Sequence, residues 1–214
     1  MAITLDTTTS KDAGNVTSST LSHTCTGASM LIVVVAADSA ASPTGITYNG
    51  VAMTKEVTQA GLDTTVWSLA NPASGANNIV VTFAASHYFG FGGISLIGTE
   101  TSSYADGTGT GSGTTNDAAV SVTTGTANSW IIMAVSHNRN SSRTAIASST
   151  IRVDQFIATD NFTCLGITRS TTTAGAYSIG ETMGTPSDGW YGAAVAIKEL
   201  QPVTKKNLTL LGVS

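Results

Sequence analysis

Residues 30–37 read MLIVVVAA and residues 130–137 read WIIMAVSH. A half-buried strand alternates apolar and polar side chains, and a surface helix repeats its apolar positions every 3.6 residues. MLIVVVAA does neither, and WIIMAVSH has the same character. Runs this short, rich in Val and Ile and bounded by Gly, Asn, Asp or Ser, read as central strands covered on both faces.

Working outward, Thr64–Leu69 (TTVWSL) and Asn78–Ala84 (NIVVTFA) alternate as half-buried strands do. Before them Asn49-Gly50 joins Ile46-Thr47-Tyr48 to Val51-Ala52-Met53, and both turn residues tolerate positive φ, a strong hairpin signal. Asn71-Pro72-Ala73-Ser74-Gly75 marks a second turn. Further strands are expected at 21–26, 88–97, 118–123, 151–159, 162–169, 176–183 and 190–199. About a dozen strands at roughly 8–12-residue spacing, with no helical periodicity, predict an all-β antiparallel β-sandwich of jelly-roll or concanavalin-like type.

An internal repeat is suggested. Ser29-Met30-Leu31-Ile32 matches Ser129-Trp130-Ile131-Ile132 at a separation of 100, as do Gly75-Ala76 with Gly175-Ala176 and Ile79 with Ile179. Ile94-Ser95-Leu96 matches Val195-Ala196-Ile197 at a separation of 101. The expectation is a sandwich built of two similar halves, with the polar, Gly-rich segment Thr101–Asn116 as a loop between them.

A chain of 214 residues suits one domain of this class, with residues 1–200 as the sandwich and 201–214 as a C-terminal arm. Charged residues make up only 10% of it, against about 25% in an average soluble domain, and Ser, Thr, Gly and Ala fill the difference. The net charge is −4, and no Lys or Arg lies between Lys55 and Arg139, so a basic face for nucleic acid is excluded. Cys25 and Cys164 are too few for a disulfide scaffold; they read as small buried hydrophobes, with one long-range disulfide as the alternative. Neither a secretory signal nor an apolar run long enough to span a membrane is visible.

Few residues suggest chemistry. His23, His87 and His137 lack metal-ligand spacing, the carboxylates are scattered singly, and no nucleophile elbow, P-loop or dinucleotide fingerprint occurs. The Asp106-Gly-Thr-Gly-Thr-Gly run has one acid, too few for Ca²⁺, and reads as a flexible loop. No cofactor is expected. Tyr104, Trp190 and Tyr191 could form a sugar-binding platform, although Trp190 and Tyr191 also read as core anchors at a strand start. Tyr104, inside the polar segment, is the one expected to be exposed. After Gln201-Pro202 the tail carries Lys205, Lys206, Leu208, Leu210, Leu211 and Val213. Its leucines either pack back on the sandwich or dock on a neighbour as an added strand, and docking is favoured.

The segments Leu21–Gly27, MLIVVV, Ile46–Thr54, Val66–Gly75 and Trp190–Ile197 together resemble a recurrent β-sandwich domain of tailed-bacteriophage virion proteins and some bacterial surface proteins. The resemblance spans most of the chain and rests on turn residues and core strands. It implies a non-enzymatic structural component with a lectin-like jelly roll: a capsid decoration protein, head fibre or tail accessory protein. Such a component is assembled in the host cytoplasm, contacts other virion proteins, and forms homo-oligomers such as trimers. The alternative is a carbohydrate-binding module or adhesin that uses the aromatic residues named above.

Overall fold

The computed structural model describes residues 1–61, 63–138, 140–146, 148–185 and 189–201. Every described element is a strand, and every pairing is antiparallel. The first half contains β1 (Thr4–Cys25), β2 (Met30–Ala37), β3 (Gly45–Tyr48), β4 (Val51–Ala52), β5 (Thr54–Gln59), β6 (Thr64–Ala70) and β7 (Gly75–Ile97). The second contains β8 (Ala105–Gly113), β9 (Asp117–Thr124), β10 (Trp130–Asn138), β11 (Arg143–Ala145), β12 (Ser149–Ile157), β13 (Phe162–Ser170), β14 (Gly175–Met183) and β15 (Trp190–Ile197).

β1 and β7 are long because each serves two sheets. Residues 89–97 of β7 pair with β2 on one side and with the start of β1 on the other. Residues 75–82 of β7 pair instead with the end of β1 and with β3. One sheet therefore runs β5-β6-β2-β7-β1, and the other continues as β4-β3-β7-β1. Leu31, Val33 and Val35 share a core with Ile46, Tyr48, Ile79 and Val81, so the second part folds over the first. Two four-stranded groups linked in this crossing order form a jelly roll, with β5 added at one edge.

The second half repeats the wiring, except that β4 has no counterpart among its described strands. β12-β13-β10-β15-β8 matches β5-β6-β2-β7-β1, and β11-β14-β9 matches β3-β7-β1. Met30 pairs Ala70 and Trp130 pairs Ser170 in the corresponding positions. Even the irregularities recur. Asp6 and Asp106 are both passed over in the pairing at the head of the first strand, and Glu56 and Arg152 at the bulge beside β6 and β13. Asp6 Oδ2 accepts the Thr26 amide at 2.9 Å, and Asp106 Oδ2 accepts the Thr126 amide at 3.0 Å. These carboxylates close the same turn in both halves.

The two five-stranded sheets stack face to face. Met30, Ile32, Val34, Ile94 and Leu96 from one half interleave with Ile132, Ala134, Val195 and Ile197 from the other. On their outer faces Leu31, Val33 and Val35 meet one covering sheet, while Ile131, Met133 and Val135 meet the other. The molecule thus has four β-layers and three apolar layers between them. This explains why β2 and β10 carry apolar residues at consecutive positions: both of their faces are buried, and each such Val, Ile or Leu is worth about 1.5–3 kcal/mol of burial.

Two segments differ from the sequence expectation. Residues 105–113, expected to be a flexible loop, form β8 on β15. Glycine alternates there because the β9 backbone crosses Gly107 and Gly109 and the Trp190 ring lies over Gly111 and Gly113: a Cβ at Gly109 would stand 2.3 Å from the Ser121 carbonyl oxygen. The Thr- and Ser-rich residues 4–20, not read as a strand, are the greater part of β1, whose pairing is carried by backbone and whose side chains are mostly half-exposed.

Candidate functional site

Tyr104, Trp190 and Tyr191 do not converge into a platform. Trp190 and Tyr191 are neighbours on β15 and point to opposite faces. Trp190 is 6% exposed, in the core between the second half's two sheets, with its indole over Gly111 and Gly113. Tyr191 is half-buried, and its ring lies against the Gly61 backbone of the first half, where no side chain would fit. Tyr104, expected to be exposed, is half-buried against the central apolar layer. Its hydroxyl lies 2.8 Å from Ser68 Oγ and donates to Glu56 Oε1 at 2.8 Å. Tyr104 and Tyr191 therefore hold one half on the other. Burial is the principal cause that raises the Tyr104 pKa, and its hydroxyl stays protonated as a donor to Glu56.

Lys205, Lys206, Leu208, Leu210, Leu211 and Val213 lie outside the described residues. The chain reaches that segment from Gln201, which is exposed and whose amide donates to Glu100 Oε1 at 3.0 Å. Beside it, Leu200 is 41% exposed and Met1 72% exposed, joined by a 3.0 Å hydrogen bond from the Met1 amine to the Leu200 carbonyl. Two of the three large hydrophobic residues that are exposed among the described residues thus sit together where the arm begins.

Polar groups inside the fold offer limited chemistry. On the surface, Ser39 Oγ and Asp38 Oδ1 approach His87, at 3.1 and 3.2 Å, but both contact Nδ1. A relay from hydroxyl through imidazole to carboxylate needs the two on opposite ring nitrogens, so this cluster is not arranged as a triad. In the second half His137 Nε2 lies 3.3 Å from Glu181 Oε1, with both side chains fully enclosed. The counterparts of this pair in the first half are Ala37 and Val81, both core residues. His23 is enclosed beside Thr9, whose Oγ1 is 2.7 Å from His23 Nδ1, and burial holds its imidazole below the usual value. Cys25 and Cys164 are free and buried in different apolar clusters, with no disulfide between them. Burial pushes the Cys164 thiol up to about 12. Among the described residues no three His, Cys, Asp or Glu side chains converge as metal ligands.

Clefts open on the surface formed by the described residues. One, of about 390 Å³, lies over Thr47, Asn49, Gly50 and Asn77 on the outer face of β3 and carries no aromatic ring. Another, of about 350 Å³, opens at the seam between the halves and is lined by Ile3, Asn128, Trp130, Ser170, Thr171 and Glu199. Sequence reading placed Trp130 in a strand without marking it as a surface group. The signal available was the repeat itself, which puts the larger, indole-bearing Trp130 where the first half has Met30.

Comparison with family models, curated proteins and solved structures gives no match in any of the three.

Proposed function

We propose that the chain is a structural, non-catalytic component of a bacteriophage particle, acting through assembly contacts with other virion proteins and with its own copies. The observation that carries this reading is the apolar Met1–Leu200 patch at the root of a segment that holds Leu208, Leu210 and Leu211. Exposed apolar groups gathered at one end mark a contact surface. The rest of the described surface is rich in Ser and Thr and poor in charge, which suits packing among identical neighbours.

The fold supports the same role. Three stacked apolar layers give a rigid body. A body of this kind offers placement and repetition, and many weak identical contacts on a symmetric particle add up to firm attachment.

The test is the native mass of the full chain and of a chain ending at Gln201, measured by light scattering alongside circular dichroism. An oligomer that becomes a folded monomer on truncation supports assembly through the arm. Monomers in both forms overturn it.

A further inference from the structure

The geometry points to a second role for the seam cleft: a binding site for one ring of a neutral pyranose sugar. This inference is independent of the assembly reading.

The repeat supplies an internal control. The two halves share their strand pairing, so a residue that differs between equivalent positions is not dictated by the fold. At the start of β10 the second half carries Trp130 and Ser170 where the first carries Met30 and Ala70; Asn128, beside them, is set by its turn, where it takes a positive φ that falls on Gly27 in the first half. Met30 is fully buried, whereas Trp130 is half-exposed and lines the cleft. Two apolar residues are thus exchanged, at one place, for an indole and a hydroxyl. The matching place in the first half lies beside Tyr104, which ties itself to Ser68 and Glu56. The residue equivalent to Tyr104 is Thr4, which has no ring to cover the Trp130 end.

The chemistry of the lining selects the ligand class. A half-exposed indole presents a flat apolar face, which matches the C–H face of a pyranose. Among the described residues the Asn128 amide, the Ser170 hydroxyl and Trp130 Nε1 have no hydrogen-bond partner and are free to take up sugar hydroxyls. Thr171 is fixed, its Oγ1 donating to the Ser129 carbonyl at 3.0 Å, and holds the cleft wall in place. The Glu199 carboxylate is 3.4 Å from the Met1 amine, so its charge is compensated and the lining favours a neutral ligand over a cation. A volume of about 350 Å³ stands at the lower end of small-molecule sites, enough for one ring.

The experiment titrates the ¹⁵N-labelled full chain with glucose, galactose and N-acetylglucosamine, each to about 50 mM, against an expected Kd on the order of 1 mM. The three indole N–H signals separate the outcomes. Trp67 Nε1 donates to Thr65 Oγ1 at 3.0 Å and Trp190 Nε1 is buried, so a sugar in the cleft moves the Trp130 signal and leaves the other two in place. The Ser170→Ala variant installs the first half's residue, leaves the turn at Asn128 untouched, keeps the fold, and weakens binding about fivefold, the loss of roughly one hydrogen bond. Saturable movement of the Trp130 signal with at least one sugar, weakened in that variant, supports the site. No movement with any of the three sugars, or movement equal in the variant, overturns it.

Discussion

Gly92 tests the face-to-face stacking of the two halves. It sits in β7 between Ser10 and Val34, and its α-hydrogens face the opposite five-stranded sheet. A Cβ there would stand 2.5 Å from Val153 Cγ2 and 2.6 Å from the Thr9 carbonyl oxygen, where ordinary contacts begin at 3.4 Å. The valine, across the stack, can turn or shift, but the carbonyl belongs to β1, the neighbouring strand of the same sheet, so that backbone must move by up to an ångström. Overpacking of this kind costs about 1–3 kcal/mol, and the backbone contact places Gly92→Ala at the upper end. Loss of glycine freedom in the unfolded chain returns about 0.4–1 kcal/mol, leaving a net loss of about 2 kcal/mol. At about 2–4 °C per kcal/mol for a chain of this size, Tm falls by about 4–8 °C. The control is Gly45→Ala, where nothing lies within 4 Å of the added methyl and the same entropy change acts alone, so Tm stays level or rises. In a Val153→Ala background the cost of Gly92→Ala drops by about 1 kcal/mol, since only the carbonyl contact remains. Differential scanning calorimetry of the set decides. If Gly92→Ala costs as much in the Val153→Ala background as in the parent chain, or behaves like Gly45→Ala, the close stacking is wrong.

Three further outcomes follow from the buried polar groups. His137→Ala leaves the enclosed Glu181 side chain without the imidazole beside it and costs about 1–3 kcal/mol in urea unfolding. His137→Ala/Glu181→Val restores the first half's Ala37 and Val81 chemistry and recovers most of it; a double variant no better than the single one refutes the equivalence. Tyr104→Phe removes the hydroxyl that bridges to Ser68 and Glu56 and lowers stability by about 1–2 kcal/mol, while an unchanged urea midpoint would mean that the bridge is idle. His23 stays neutral in the folded chain because burial outweighs the attraction of Asp6. The unfolded chain takes up its proton near pH 6.5, so the stability linked to His23 is complete above that value and declines as pH falls from there toward the lower folded pKa. The urea midpoint should drop between about pH 7.5 and 5.5, and less so in His23→Asn.

The class of fold and most of its strands were legible in the sequence. MLIVVVAA and WIIMAVSH announce strands covered on both faces, because only a strand with no solvent face can carry apolar groups at successive positions. Asn49-Gly50 fixes its hairpin, and both residues adopt positive φ as a tight turn requires. The repeat was also written there, in Ser29 and Ser129 and more fully in Asp6 and Asp106 with Thr26 and Thr126, whose hydrogen bonds close equivalent turns. What the sequence left open depends on contacts between distant segments. The strand identity of the Gly-rich β8 follows from the close approach of β9, and side-chain propensity carries no record of a neighbouring backbone. The place of Tyr104 and Tyr191 follows from how two similar halves meet, and an aromatic residue reads alike on a surface and in a seam. That meeting also leaves Trp130 open at a cleft while Met30 is enclosed: two positions in one register differ in exposure because the residue equivalent to Tyr104 in the other half is a threonine.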